Sequence, residues 1–192
     1  MEPTWPPPAG PAVDRTTAFD PDDTPDVGGS DPLTDALARC YAHLARREHS
    51  VAELRAKLVR SGVGEPIAEQ ALAVVIEQGY LNDERYAQLL AQDRRALDGW
   101  GVERIRDRML RAGIDRSLIE VALAPFDEAS ERTAAVELLR RRIPIAPSNP
   151  RERQRAFALL VRQGFDSEVA YDAVRRHESR REDDDDAIEL AS

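Results

Sequence analysis

Three observations predict an all-α fold, an elongated array of three tandem three-helix repeats. A 51-residue repeat is anchored on Gly62, Gly113 and Gly164. Apolar residues recur at steps of three and four on both sides of each glycine, which marks helical faces. Between these segments no convincing strand run appears. With 42% hydrophobic but only 5% aromatic residues, the core must come from Ala, Leu, Val and Ile.

Residues 1–30 are rich in Pro, Asp, Thr and Gly and lack an apolar period, so a disordered extension is expected there. The first unit, 31–80, opens with a helix near 33–47. Ser50, with Glu53 three residues on, reads as the cap of a second helix carrying Val51, Leu54 and Leu58 on one face. Gly62 stops that helix, and Ile67, Ala71 and Leu72 mark the third. Gly79 closes it, and in "GYLNDERYA" Asn82 caps the next helix while Leu81 and Tyr86 take the places of a hydrophobic staple.

The second unit, 81–126, repeats the pattern. A helix near 83–97 precedes Val102, Ile105 and Met109, the Gly113 stop, Asp115 as cap, and Leu118, Ala122 and Leu123. In the third, 127–181, a helix near 128–142 is followed by Pro144, Pro147 and Pro150, which break the connection. Arg153, Ala156 and Leu160 then match the earlier face weakly, ahead of Gly164, Asp166 and the run Val169, Ala173, Val174. Residues 182–192, "EDDDDAIELAS", read as a solvated acidic tail.

The formal charge of −9 is distributed unevenly. Residues 1–30 carry −5 and residues 182–192 carry −6, leaving +2 for residues 31–181, where every basic residue but Lys57 is arginine. Such a body suits a polyanion or an acidic protein surface. Cys40 is the single cysteine, which excludes an internal disulfide and fits a reducing cytosol, so a cytoplasmic protein is expected. The N-terminal stretch lacks the pattern of a secretion signal, and the longest apolar run, 71–76, is too short to cross a bilayer. His43, His49 and His177 form no metal spacing with Cys40, and neither a phosphate loop nor a nucleophile elbow is present. No catalysis, cofactor, metal or small-molecule substrate is expected.

Several residues are candidates for partner contact. Arg104, Arg108 and Arg111 fall at i, i+4 and i+7 before the second glycine, with Lys57 and Arg60 in equivalent places in the first unit and Arg155 and Arg162 in the third. Either a shared groove or a solvated face, with Glu103 and Asp107 pairing locally, accounts for this stripe. Tyr80, Asp83 and Arg85 are the contact candidates in "GYLNDERYA". Arg140 and Arg141, with Arg142, form a basic run at a helix end, where cations also suit the dipole. Trp100, between Gly99 and Gly101, reads as an anchor between units or as a stacking surface.

Four segments, in order, resemble the RecX family of bacterial recombinase regulators: "LARREHSVAELRAKLVRSG" at 44–62, "GYLNDERYA" at 79–87, "GWGVERIRDRMLRAGI" at 99–114, and "RRRIP" at 140–144 followed by "LLVRQGFDSEVAYDAV". The match spans 35–178 and leaves the N-terminal extension and the Asp-rich tail outside the shared pattern. The resemblance implies a protein that binds the RecA recombinase filament on single-stranded DNA and limits strand exchange, ATP turnover and stimulated repressor cleavage; a monomer is expected. A weak direct contact with DNA is the alternative that the arginine stripe suggests.

Overall fold

The computed structural model describes residues 31–190, with side chains described as far as Ser179. The expectation of disorder over 1–30 falls outside the described residues. Among the described residues there are nine α-helices and no strand. The first module holds α1 (Pro32–Leu44), α2 (Val51–Arg60) and α3 (Glu65–Glu77). The second holds α4 (Asp83–Asp93), a π-helical segment (Arg94–Asp98), α5 (Val102–Arg111) and α6 (Arg116–Leu123). The third holds α7 (Glu128–Arg142), α8 (Pro150–Arg162) and α9 (Ser167–Leu190).

Each module buries its own core. The first contains Leu54, Leu58, Leu72 and Val75, the second Ile105, Met109, Ile119 and Leu123, and the third Leu138, Leu139, Leu160 and Phe165. Each such side chain contributes about 1.5–3 kcal/mol of burial. The three cores follow in chain order, so each unit closes over its own apolar faces. Leu81 and Tyr86 do not share a core as a staple would: Leu81 enters the first and Tyr86 the second. The chain therefore changes modules at Asn82, whose side chain accepts the Arg85 amide at 2.9 Å and caps α4.

The repeat extends further than the sequence alignment reached. The first two modules are in register throughout, since α1 and α4 begin at 32 and 83, α2 and α5 at 51 and 102, and α3 and α6 at 65 and 116. The third keeps register only in α9, at 167, whereas α8 begins at 150, one turn earlier than the spacing requires. Asn149 sets that extra turn by accepting from the amides of Arg151 and Glu152, and Pro150 takes the first helical position, where a missing N–H costs nothing.

The stretch read as an acidic tail begins inside α9, which extends to Leu190.

Candidate partner-binding surface

The geometry begins at the glycine turns. Gly62, Gly113 and Gly164 have φ of +87°, +73° and +88°, a left-handed conformation that an L side chain resists. Each turn closes with the amide of the following residue donating to the carbonyl four residues before the glycine: Val63 to Leu58 at 3.1 Å, Ile114 to Met109 at 3.2 Å and Phe165 to Leu160 at 3.2 Å. The arginine two residues ahead of each glycine, Arg60, Arg111 or Arg162, is consequently held at the exposed end of its helix. None of the three has an ion-pair partner among the described residues; Arg60 Nε donates only to the Ala56 carbonyl, at 3.0 Å.

These turns are also where modules meet. At the first junction, Ser50 Oγ, which caps α2 by accepting the Glu53 amide at 3.0 Å, donates to the Ala112 carbonyl at 2.5 Å. Arg108 reaches back to Glu53 at 2.8 Å, and the Val51 amide donates to the Asp83 carboxylate at 2.8 Å. Burial would raise the Glu53 carboxyl, but the Arg108 hydrogen bond and the charges of Arg108 and Arg47 outweigh it and hold the group below its ordinary value. Asp83 is raised, chiefly by burial. His49, also buried, sits with Nδ1 3.4 Å from Glu53 without a hydrogen bond, and burial, aided by Arg47, pushes its imidazole down.

At the second junction the main chains touch. The Gly101 amide donates to the Gln163 carbonyl at 2.7 Å and the Glu103 amide to that of Gly164 at 3.1 Å. Arg95, at 15% side-chain exposure, pairs with Glu131, whose other oxygen accepts the Val102 amide at 3.2 Å. Its guanidinium lies 5.0 Å from the Phe126 ring and 5.5 Å from that of Phe165, and burial pushes its pKa down to about 10.

The stripe is therefore divided. Arg104 packs 4.3 Å over Trp100 and donates to the Arg162 carbonyl at 3.1 Å and to Gln163 Oε1 at 2.8 Å, so it fastens the second junction. Arg108 fastens the first, pairing with Glu53 across the junction instead of with Glu103 or Asp107 on its own helix. Lys57, Arg60 and Arg111 come together, joined by Arg47, around a groove of about 390 Å³ between α2 and the Gly113 turn. Glu53 is the acidic residue on that groove, already paired to Arg47 and Arg108. Arg47 is not among the residues that the repeat singles out; its only signal in the sequence is the basic run before the Ser50 cap.

The other candidates scatter. Tyr80 is 47% exposed and meets Tyr41 edge-on at 5.7 Å, while Arg85 donates to the carbonyls of Gly79 and Tyr80 and pairs with Glu48 at 3.4 Å. Asp83 is a junction residue, as described. Arg140, Arg141 and Arg142 are exposed in the last turn of α7, with Arg141 close against Gly99. Arg155 is exposed on α8 beside the Glu152 carboxylate. Trp100 meets the guanidinium groups of Arg94, at 5.2 Å, and of Arg104, and packs on the second core. Among the described residues no cluster of His, Cys, Asp or Glu is placed to hold a metal, and no helix is long and apolar enough to cross a membrane.

Tandem three-helix modules that dock through glycine turns and leave an arginine exposed at each turn define a helical-repeat protein whose surface is suited to binding. Residues 36–73 match the description "RecX, first three-helix domain" and residues 82–123 "RecX, second three-helix domain". The chain is 36% identical over 151 residues to the regulatory protein RecX of Stenotrophomonas maltophilia (strain K279a), covering 78% of this chain and 88% of that one. It is 35% identical over 139 residues to that of Deinococcus radiodurans, covering 72% and 66%. A crystal structure of regulatory protein RecX superposes with a TM-score of 0.65 at 25% identity, over 76% of this chain and 72% of the other. RecX from Lactobacillus salivarius, at 18% identity, shares the fold with a TM-score of 0.67 over 78% and 97%. The chain belongs to the RecX family of regulatory proteins.

Proposed function

We propose that this chain restrains the RecA recombinase in the cytoplasm by lying as a monomer along its filament on single-stranded DNA, and so limits strand exchange, ATP hydrolysis and stimulated repressor cleavage. The observation that carries the reading is the recurrence, at the same turn of all three modules, of an exposed arginine with no ion pair among the described residues, with Arg60 and Arg111 converging on one cationic groove. Repetition at fixed intervals suits a target that is itself periodic, and guanidinium groups suit carboxylates and phosphates. Binding is by contact, with no reaction of its own.

The test is DNA-dependent ATP hydrolysis by the cognate recombinase, titrated with this chain at substoichiometric ratios. Inhibition is expected, and Arg60→Ala/Arg111→Ala/Arg162→Ala should abolish most of it while leaving the helical circular-dichroism signal intact. A flat titration with the unmodified chain overturns the proposal. The four cations of the groove also favour a second reading, direct competition for DNA. In that case the chain alone binds single-stranded DNA, with an affinity that falls steeply as salt rises.

A further inference from the structure

Each junction seats a helix N-terminus on a glycine turn, and the first module carries a third such turn. At the first junction a helix N-terminus arrives at a glycine turn: its cap hydroxyl, Ser50, bonds the carbonyl before the glycine, its second residue, Ala52, packs on the glycine, and its third, Glu53, pairs with Arg108. A Cβ added to Gly113 would lie 2.5 Å from the Ala52 methyl, and one added to Gly164 would run into the backbone of Arg104. Both of those turns are covered. The Gly62 turn has the same φ, the same closing hydrogen bond and the same carbonyl, that of Ser61, yet a Cβ there would meet nothing within 4 Å. Lys57 stands where Arg108 stands in the second module.

We propose that the Gly62 turn is a docking site for the N-terminus of a partner protein's helix, one with a Ser, Thr or Gly cap, a small residue at its second position and a carboxylate at its third. The cap would donate to the Ser61 carbonyl, the small residue would lie on Gly62, and the carboxylate would meet Lys57. Arg39 Nη1 now donates to that carbonyl at 2.8 Å from an exposed side chain, and a carbonyl oxygen accepts two such bonds. A second copy of this chain is a poor occupant. Its free helix of this type, α8, begins one turn early and presents Arg151, Glu152 and Arg153 in place of a small first turn. Lys57, Arg60 and Arg39 around the turn favour an acidic arrival, and carboxylates are common in first turns, where they meet the positive end of the dipole.

The inference rests on the filament reading for the identity of the partner, and two probes separate the two. Gly62→Asn keeps a residue that tolerates the left-handed turn while filling the open space above it. With the recombinase filament as probe, Gly62→Asn and Lys57→Glu should each weaken binding by about tenfold or more, a change of about 1.4 kcal/mol, with the helical circular-dichroism signal retained. If the unmodified chain binds the filament and Gly62→Asn binds equally well, the docking site is overturned and the filament reading stands. If the unmodified chain does not bind the filament, that reading fails, and a labelled peptide of residues 47–60, the α2 sequence itself, decides the docking site. Saturable anisotropy with the unmodified chain, lost in Gly62→Asn, supports it; no binding, or equal binding to both, overturns it.

Discussion

The two junctions occupy the same place in the repeat but are built from different chemistry. The first is tied by side chains: the Ser50 hydroxyl, the Glu53–Arg108 pair and the Asp83 carboxylate under the Val51 amide. The second is tied by backbone, with Gly101 and Glu103 amides on the Gln163 and Gly164 carbonyls, sealed by the buried Arg95–Glu131 pair. Where Ser50 stands in the first module, Gly101 stands in the second, and a Cβ at Gly101 would strike the Gly164 carbonyl. Removing the side chain permits main-chain approach and removes tolerance for substitution. The first junction is thus exposed to pH through Glu53, Asp83 and His49, while the second is set by close packing and a buried ion pair.

The largest effect should follow from filling the second junction. Gly164→Ala imposes a Cβ on the Arg104 backbone at a φ of +88°, and about 3 kcal/mol or more of stability should be lost in denaturant unfolding. A loss under 1 kcal/mol would show that the junction relaxes freely. Glu131→Ala comes next, since it leaves the Arg95 guanidinium buried without its counter-charge; about 3 kcal/mol is expected, and Arg95→Met/Glu131→Leu should recover most of it. Recovery in the double variant distinguishes the unpaired charge from lost packing.

At the first junction the same kind of change should cost less. Arg108→Ala leaves Glu53 with Arg47 at 3.2 Å and with access to water, so about 1 kcal/mol is expected by thermal melting. Smaller still is the pH response. His49 is lowered by burial and by Arg47, and His43, edge-on to it at 5.9 Å, is lowered by burial and by Lys57. In each case the unfolded chain takes up protons more readily, so the stability contribution is complete above the unfolded value, about 6.5, and declines as pH falls below it. Glu53 adds to this only at lower pH, through its own lowered value, and Asp83, raised by burial, opposes it there. Melting temperature should therefore fall between about pH 7 and pH 5.5, and His49→Gln/His43→Gln should flatten that slope. An unchanged slope in the double variant would place the acid sensitivity elsewhere.

Much of the fold is written in short-range signals. Ser50, Asn82 and Asp115 cap their helices through bonds to amides two or three residues on, and the glycine stops close through bonds spanning a few residues. Interactions of that reach leave a pattern that spacing reveals. The register of α1 with α4 leaves no mark in the sequence, because the two helices share position but little composition. The candidate surface was legible only in part. Arg60, Arg111 and Arg162 could be found from the repeat, but nothing local separates Arg111, which has no ion pair among the described residues, from Arg108, whose partner lies 55 residues away.

By itself, the amino-acid sequence determined the helices, their caps, the three glycine turns and the apolar faces that make three cores, because each depends on residues within about one or two helical turns of one another. Only the tertiary structure decided which cations are fasteners and which are free. Pairing across a junction is a matter of distance in space: it engages Arg95, Arg104 and Arg108, brings Arg47 to the groove, and leaves the Gly62 turn open.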